Sequence, residues 1–479
     1  MTKIAAFLVA LILGLAPQIS AKGSPNVIFF AVDDLCDWVG AMGHTQAKTP
    51  NMDALAKRGV SFNNAHCPGV FCAPSRSAIF TGRFASTTGC YRTEIYFHNH
   101  PELRPLQVSF AKAGYATYGA GKLFHHATGY IDHRGWTKFF LRNEAAKREG
   151  WPLDSWGKDT PLPDPFPNSI YNRGRQITGG MFLEWAAIPN EREKDMADTK
   201  RVNWACDILK QKHDVPFFLA VGLYAPHFPN YVPKKYFDLY GGMDIKLPPV
   251  QKDDLKDLSP TGRKWALEAA TAGSHATTVK HDQWQAAVKG YLACVTFVDA
   301  QVGRLLAQLE ARGQVKNTWV ILWSDHGWHL GEKQHWGKWT GWQRSTRVPL
   351  VVVPPAGSKD KYALGAECDN PVGLIDLYPT LLDICNLPKV SRLDGVSLRS
   401  MLEKPGMASD RLVVTTFDKG NHALSGTRWR YIRYQDGSEE LYNRKDDPNE
   451  WVNLASRKEH ASVRERLSKA LDKIVADSK

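Results

Sequence analysis

The chain is predicted to be α/β: a large, mostly parallel sheet sandwiched by helices, with a small C-terminal antiparallel α+β subdomain. Three observations predict it. Continuous apolar runs of strand length at residues 26–32, 115–120, 216–222 and 317–324 alternate with helix-period segments, the pattern of strands buried on both faces. Each of those runs is followed by ionisable residues, and in an open parallel sheet the strand ends are where ligands bind. Beyond about residue 405 short alternating segments take over, with Asp436-Gly437 as a strong hairpin signal between two of them.

The elements follow in order. Residues 1–21 stand apart: Lys3, an apolar run over 4–16 and the ending Gln18-Ile19-Ser20-Ala21 read as a cleaved signal peptide, too short for a comfortable bilayer span. The mature protein is therefore expected to be soluble and exported, secreted or periplasmic, with no membrane span after cleavage. Its catalytic domain is expected over residues 22–404. The strand at 26–32 leads to Asp33-Asp34. Thr49-Pro50 opens a helix that Gly59 closes. A second strand, 60–65, leads to Cys72 and a helix running to about residue 80, with Pro74 in its first turn. A helix at 106–113 ends at Gly114, and the strand 115–120 is followed by Gly121-Lys122 and His125.

Residues 126–194 are rich in Trp, Pro, Gly and Arg with weak periodicity, and read as a loop-rich insertion. A helix near 197–211 precedes the strand 216–222, after which come Pro226-His227. Residues 241–281 read as a second polar connection. Apolar residues at 288, 291, 292, 295, 298, 302, 305, 306 and 309 trace one face of a long helix. The strand 317–324 runs into Asp325-His326, and strands at 347–354 and 371–375 and a helix at 378–384 complete the domain. Segments 412–417, 427–434 and 439–442, with a polar helical tail, form the small subdomain 405–479.

Composition narrows the function. The 479 residues are 43% hydrophobic and 23% charged, ordinary for a globular protein. Eight cysteines and no CxxC pair argue against a disulfide scaffold, although one or two bridges are allowed. The net charge of +12 implies acidic partners. No Lys/Arg block or nucleic-acid motif accompanies it, so nucleic acid is not the expected partner. For an exported protein a sulfated or carboxylated polysaccharide is.

The chemistry gathers around Phe71-Cys72-Ala73-Pro74-Ser75-Arg76, with Thr81-Gly82 behind it. Cys72 would sit at a helix N-terminus, where free N–H groups favour an oxyanion, and Arg76 lies one turn on. Asp33, Asp34 and Asp325 form a hard-oxygen cluster that favours Ca²⁺ or Mg²⁺ over zinc. His329, Trp336, Trp339 and Arg344 crowd the stretch after Asp325; aromatics with cations suit sugar rings and their anionic groups, and packing is the alternative for each.

The spacing Cys72-x-Pro74-Ser75-Arg76-x4-Thr81-Gly82 resembles the signature of the type I sulfatases of the alkaline-phosphatase superfamily. Asp33-Asp34, Gly121-Lys122-Leu123-Phe124-His125, the run from Ala220 to His227, and Ser324-Asp325-His326-Gly327-Trp328 look like successive blocks of that family. Trp336-Gly337-Lys338, Lys-x-x-His at 122–125 and His326 look most like its iduronate-2-sulfatase branch. The resemblance spans roughly residues 25–400. It implies an alkaline-phosphatase-like fold and oxidation of Cys72 to formylglycine by a formylglycine-generating or anaerobic sulfatase-maturating enzyme. It also implies one Ca²⁺ held by Asp33, Asp34, Asp325 and His326 with the modified Cys72. Carried over, a hydroxyl of the hydrated aldehyde attacks sulfur while Arg76, Lys122 and Lys338 neutralise charge. His227, with Lys338, protonates the leaving sugar oxygen, and His125 takes the proton that expels sulfate. The implied substrate is a sulfated polysaccharide or oligosaccharide, with 2-O-sulfated uronate as the branch's example. Two alternatives stand beside it: a phosphate or phosphonate ester hydrolase of the same superfamily, and a non-catalytic binder of sulfated glycans.

Overall fold

The computed structural model describes residues 23–125, 130–140, 185–268 and 274–477. The expected signal peptide at 1–21 lies outside the described residues, as does most of the expected insertion (126–129 and 141–184).

An eight-stranded sheet organises the chain. Its strands are β1 (Asn26–Val32), β2 (Val60–Phe62), β3 (Ala116–Gly121), β4 (Lys138–Phe140), β5 (Phe217–Leu223), β6 (Thr318–Ser324), β7 (Leu350–Val353) and β8 (Ala366–Cys368), in the spatial order β8-β2-β7-β6-β1-β5-β3-β4. The central strands β6, β1, β5 and β3 are all parallel, whereas β7 runs antiparallel to both its neighbours. The parallel centre explains the unbroken apolar runs: β1, β5 and β6 are buried along essentially their whole length because helices cover both faces.

The two faces use alternate residues of each strand. Ile28, Phe30 and Val32 point into one core with α1 (Pro50–Ala56), α4 (Ala197–Lys210) and α5 (Trp284–Ala311). Val27, Phe29 and Ala31 point into the other, with α2 (Cys72–Thr81), α3 (Leu106–Lys112) and α6 (Leu377–Ile384). α5 is long and apolar enough to cross a membrane by length and composition alone, but 72% of its most apolar window is buried inside the protein. It is a core helix here.

After this layer comes a four-stranded antiparallel meander, β9 (Val413–Asp418), β10 (Asn421–Ser425), β11 (Trp429–Arg433) and β12 (Glu439–Asn443), closed by α7 (Ala461–Asp477). Leu424, Tyr431 and Leu441 pack on Leu467 and Leu471 of α7. From the opposite face Phe417, Ala423, Ile432 and Tyr442 join the second core of the main sheet. The meander is therefore fastened to the main body through its own hydrophobic face.

Several expectations needed revision. The strand expected at 60–65 splits into β2 and a separate two-residue bridge, Ala65–His66, which pairs with Val372–Gly373 outside the large sheet. So most of the expected strand 371–375 is not sheet. The stretch 241–281 carries helices Pro260–Leu267 and His275–Lys280, each capped by a serine, Ser259 accepting from Gly262 N (3.0 Å) and Ser274 from Thr277 N (3.1 Å). The first of those caps was legible, since Ser259-Pro260 is a strong helix start. The edge strand β4 falls in the expected insertion, and β10 was not anticipated. None of the eight cysteines forms a disulfide.

Candidate active site

Four neighbouring strand ends build one site. Val32 of β1 stands level with Leu223 of β5 and Ser324 of β6, and Gly121 of β3 stands level with Gly222 of β5. The residue after each strand is still held by the ladder: Asp33 N donates to Leu223 O (3.1 Å), Asp325 N to Val32 O (3.2 Å) and Lys122 N to Gly222 O (3.1 Å). Asp33, Asp325 and Lys122 thus emerge side by side. A Cβ on Gly121, whose φ is +71°, would lie 2.1 Å from Gly222 O, so only glycine lets Lys122 fold across that edge. Asp34 itself takes φ 57°, a conformation that costs a non-glycine residue about 1–3 kcal/mol and clusters at functional sites.

Cys72 enters from α2. Phe71 is its extended N-cap, and Pro74 lies in the first turn, where its missing N–H costs nothing. The thiol is fully buried, with His326 Nε2 at 3.4 Å, Asp33 Oδ1 at 3.5 Å, Lys338 Nζ at 3.3 Å and Lys122 Nζ at 3.6 Å. Arg76 donates from Nε to Asp325 Oδ2 (2.9 Å), from Nη2 to Asp33 Oδ1 (3.0 Å) and from Nη1 to the Lys122 carbonyl. Lys122 Nζ pairs with Asp33, and Lys338 Nζ with Asp34 Oδ1 at 2.7 Å.

The histidines are oriented by carbonyls, which can only accept. His326 Nδ1 lies 3.1 Å from Gly327 O, and His227 Nδ1 lies 2.7 Å from Phe228 O. Both therefore carry the proton on Nδ1 and turn Nε2 into the site. His227 Nε2 stands 3.7 Å from Asp34 Oδ2. His125 lies against Phe71 at 5.0 Å between ring centroids and against Tyr130 at 4.7 Å.

The site's electrostatics suit a cation. Burial pushes Asp34 up to about 7, opposed by Lys338 and aided by Asp33 and Asp325. Asp325 is likewise pushed to about 6 by burial, against the pull of Arg76. Asp33 stays well below the carboxylate range, because Lys122, His227, Arg76 and Lys338 outweigh its burial. Asp34 Oδ2 is buried with no hydrogen-bond partner. Ligand atoms of Asp33, Cys72, Asp325 and His326, and of Asp33, Asp34, Cys72 and His227, lie within 4.8 Å of one another in each group. Three clustered carboxylates, one with an orphaned oxygen, fit a hard divalent cation. The Nδ1–carbonyl bond of His326 is the usual outer support of a metal-binding imidazole.

Not every proposed contact residue reaches the site's opening. His329 is fully buried, its Nδ1 at Glu332 O (3.1 Å) and its Nε2 at Thr340 Oγ1 (3.0 Å). Trp336 is core, edge-on to Phe228 at 6.3 Å. Arg344 is tied to Asp37 and, at 2.8 Å, to Glu332. We correct these three to structural roles: the polar groups of His329 and Arg344 are engaged inside the fold, and Trp336 is buried in the core. Trp339 is the exception. It is half-buried, stacks on Phe71 at 4.4 Å and lies under the Arg92 guanidinium at 5.7 Å. Phe71 was not anticipated as a site residue, although its position immediately before Cys72 was a signal.

The sulfatase family model matches residues 25–387, which contain every side chain of this cluster. The chain belongs to the sulfatase family. A second model, N-sulphoglucosamine sulphohydrolase C-terminal, matches residues 331–477. A sulfatase of Formosa agariphila is 38% identical over 94% of this chain and 86% of its own. The iduronate 2-sulfatase of Mus musculus is 28% identical, over 77% of this chain and 70% of its own. The solved phosphonate monoester hydrolase of Agrobacterium radiobacter superposes with a TM-score of 0.72 at 20% identity, covering 95% of this chain and 96% of its own, which shows the shared fold. This sulfatase is a sulfuric ester hydrolase of alkaline-phosphatase-like fold.

Proposed function

We propose that this sulfatase removes sulfate esters from sulfated polysaccharides or oligosaccharides outside the cytoplasm, with Cys72 converted to formylglycine and one Ca²⁺ held by Asp33, Asp34, Asp325 and His326. The observation that carries the reading is the set of three cations around one buried thiol: Lys122 and Lys338 within 3.6 Å of Cys72 Sγ and Arg76 one turn along the same helix. Such a cage matches a group whose negative charge grows during reaction.

When present, the Ca²⁺ would polarise a sulfate oxygen, and the modified residue would supply the hydroxyl nucleophile. The chain's own groups do the rest. Lys122 and Lys338 face the position of Sγ and neutralise oxygens there. Arg76, clamped by Asp33 and Asp325, holds α2 and its Cys72 in line with the carboxylates. His227 presents Nε2 toward Asp34 and, when doubly protonated, delivers that proton to the departing sugar oxygen. His125 is kept neutral by burial and by Lys122 and Lys338, as a base must be.

The names of a relative, iduronate 2-sulfatase, and of the matched C-terminal family model, N-sulphoglucosamine sulphohydrolase, support the substrate class, since both name sugars. A 2-O-sulfated uronate is the finer reading. Export rests on the signal-like residues 1–21. The intact set Cys72, Arg76, Lys122, His125 and His227 speaks against a mere binder. A desulfation screen over defined sulfated oligosaccharides, run beside matched phosphate and phosphonate esters, tests the reading. Sulfate release from the sugars is expected to dominate. Preference for the phosphorus esters would transfer the chain to the other chemistry.

A further inference from the structure

Beyond the catalytic cluster, a cavity of about 570 Å³ opens at the edge of Trp339, a size typical of small-ligand sites. Its walls come from three parts of the chain. Arg92 and Trp339 belong to the catalytic body, Lys264, Trp265 and Glu268 to the helix Pro260–Leu267 and its end, and Asp418, Gln435 and Asp436 to the C-terminal meander. Trp339 joins this cavity to the chemistry. Its neighbour Lys338 reaches Cys72, and its own ring stacks on Phe71, the residue before Cys72. Trp339 holds φ 77°, a conformation a bulky residue keeps only when its surroundings insist. The result is a column of Phe71, Trp339 and Arg92 that runs from the residue before Cys72 to the wall of the cavity.

The lining is polar, but it is not an anion trap. Arg92 is consumed by Asp418, through Nε (3.2 Å) and Nη2 (2.5 Å). That leaves one lining cation, Lys264, against two carboxylates, Glu268 and Asp436, so the cavity is locally acidic within a protein of net charge +12. A second sulfate or carboxylate would meet like charge there. Hydroxyls would not: they donate to carboxylates and accept from Lys264 and the Gln435 amide. Trp265, half-buried and edge-to-face with Phe417 at 5.5 Å, offers an apolar ring surface of the kind that sugar C–H groups cover.

We propose that this cavity is a subsite for an uncharged sugar ring adjoining the sulfated one, so that the substrate is a chain whose neighbouring ring carries hydroxyls only. This rests on the catalytic site taking a sugar sulfate, and it gives the C-terminal meander a share in substrate choice.

The test compares kcat/KM on 4-nitrophenyl sulfate, which fills only the sulfate pocket, with two series of disaccharides sulfated on one ring. In one series the second ring bears hydroxyls only; in the other it carries a further sulfate. The wild type should favour the first series over the second. In Trp265→Ala the ratio of disaccharide to aryl-sulfate kcat/KM should fall about tenfold, through KM, as the loss of one stacking contact of about 1.4 kcal/mol implies. Glu268→Lys, at an exposed position, should shift preference toward the doubly sulfated series. Preference of the wild type for the doubly sulfated series, or a ratio unmoved in both variants, overturns the subsite while sulfate hydrolysis stands. If no sulfate ester of any kind is turned over, the sulfate reading itself has failed and the subsite falls with it.

Discussion

Cys72 is poorly equipped to act as a thiolate. Burial and the adjacent Asp33 carboxylate drive its pKa far above the ordinary thiol value, more than Lys122 and Lys338 can pull it back. A protonated thiol is a weak nucleophile, so the unconverted residue would serve this site poorly. The metal expectation follows from the same crowding. Adding Ca²⁺ at about 100 times its dissociation constant should stabilise the chelated protein by about 2.7 kcal/mol, read as a rise in Tm. Asp34→Asn should abolish both that rise and sulfate release. A Tm in the wild type indifferent to Ca²⁺ would remove the metal from the account. His227→Ala should lower kcat by about 10²–10⁴-fold on sugar sulfates, the usual worth of a general acid, and less on aryl sulfates, whose leaving groups need little protonation. Equal losses on both would deny His227 that role. At this scale much of the cluster was legible, because Asp33, Lys122, His227 and Asp325 each follow an apolar run. The position of Arg344 was not. A sequence shows a cation near aromatics but not that Asp37, far away in the chain, already holds it.

Among the elements, the meander is held to the catalytic body by a buried polar knot. Glu440 accepts from Trp342 Nε1 (2.8 Å), Tyr442 OH (2.8 Å) and Tyr434 OH (2.7 Å). Glu450 pairs with Arg430 at 2.6 Å and accepts from Gln343 N at 2.7 Å, both carboxylate and guanidinium being buried. Trp342 and Gln343 follow closely on Lys338 and Trp339, so the knot anchors the segment that carries them. Glu450→Ala leaves the Arg430 guanidinium buried without its partner and should cost about 3–5 kcal/mol in denaturant unfolding. A loss under about 1 kcal/mol would show that the knot is not what joins the layers. The strongly periodic elements, such as the strands of the sheet centre and α5, could be read from apolar spacing. β4 and β10 could not: Lys138–Phe140 is three residues long, and Asn421–Ser425 is poor in β-formers and is strand because partners flank it on both sides.

For the whole molecule the net charge of +12 makes a kinetic claim. An anionic sulfated chain should be steered to the positive surface, so kcat/KM should fall as ionic strength rises from about 0.01 to 0.15 M, where the screening length contracts from about 30 to 8 Å. A flat salt profile would mean that the charge is only a solvated coat. The chain order of the fold was readable because strand, helix and strand recur. The seat of the meander on the second core was not, since Phe417 and Ile432 look like ordinary strand residues until their partners are known.

The central claim is that sulfate-ester hydrolysis runs through Cys72 after its oxidation, and one measurement bears on it most directly. Peptide mass spectrometry gives the fraction of Cys72 carried at about 18 Da below the thiol mass, the change from thiol to aldehyde nucleophile precursor. Sulfate release is assayed on the same preparations, made with and without a maturating enzyme. The account predicts activity proportional to the converted fraction, extrapolating to zero. Full activity from a preparation whose Cys72 is entirely thiol would contradict it.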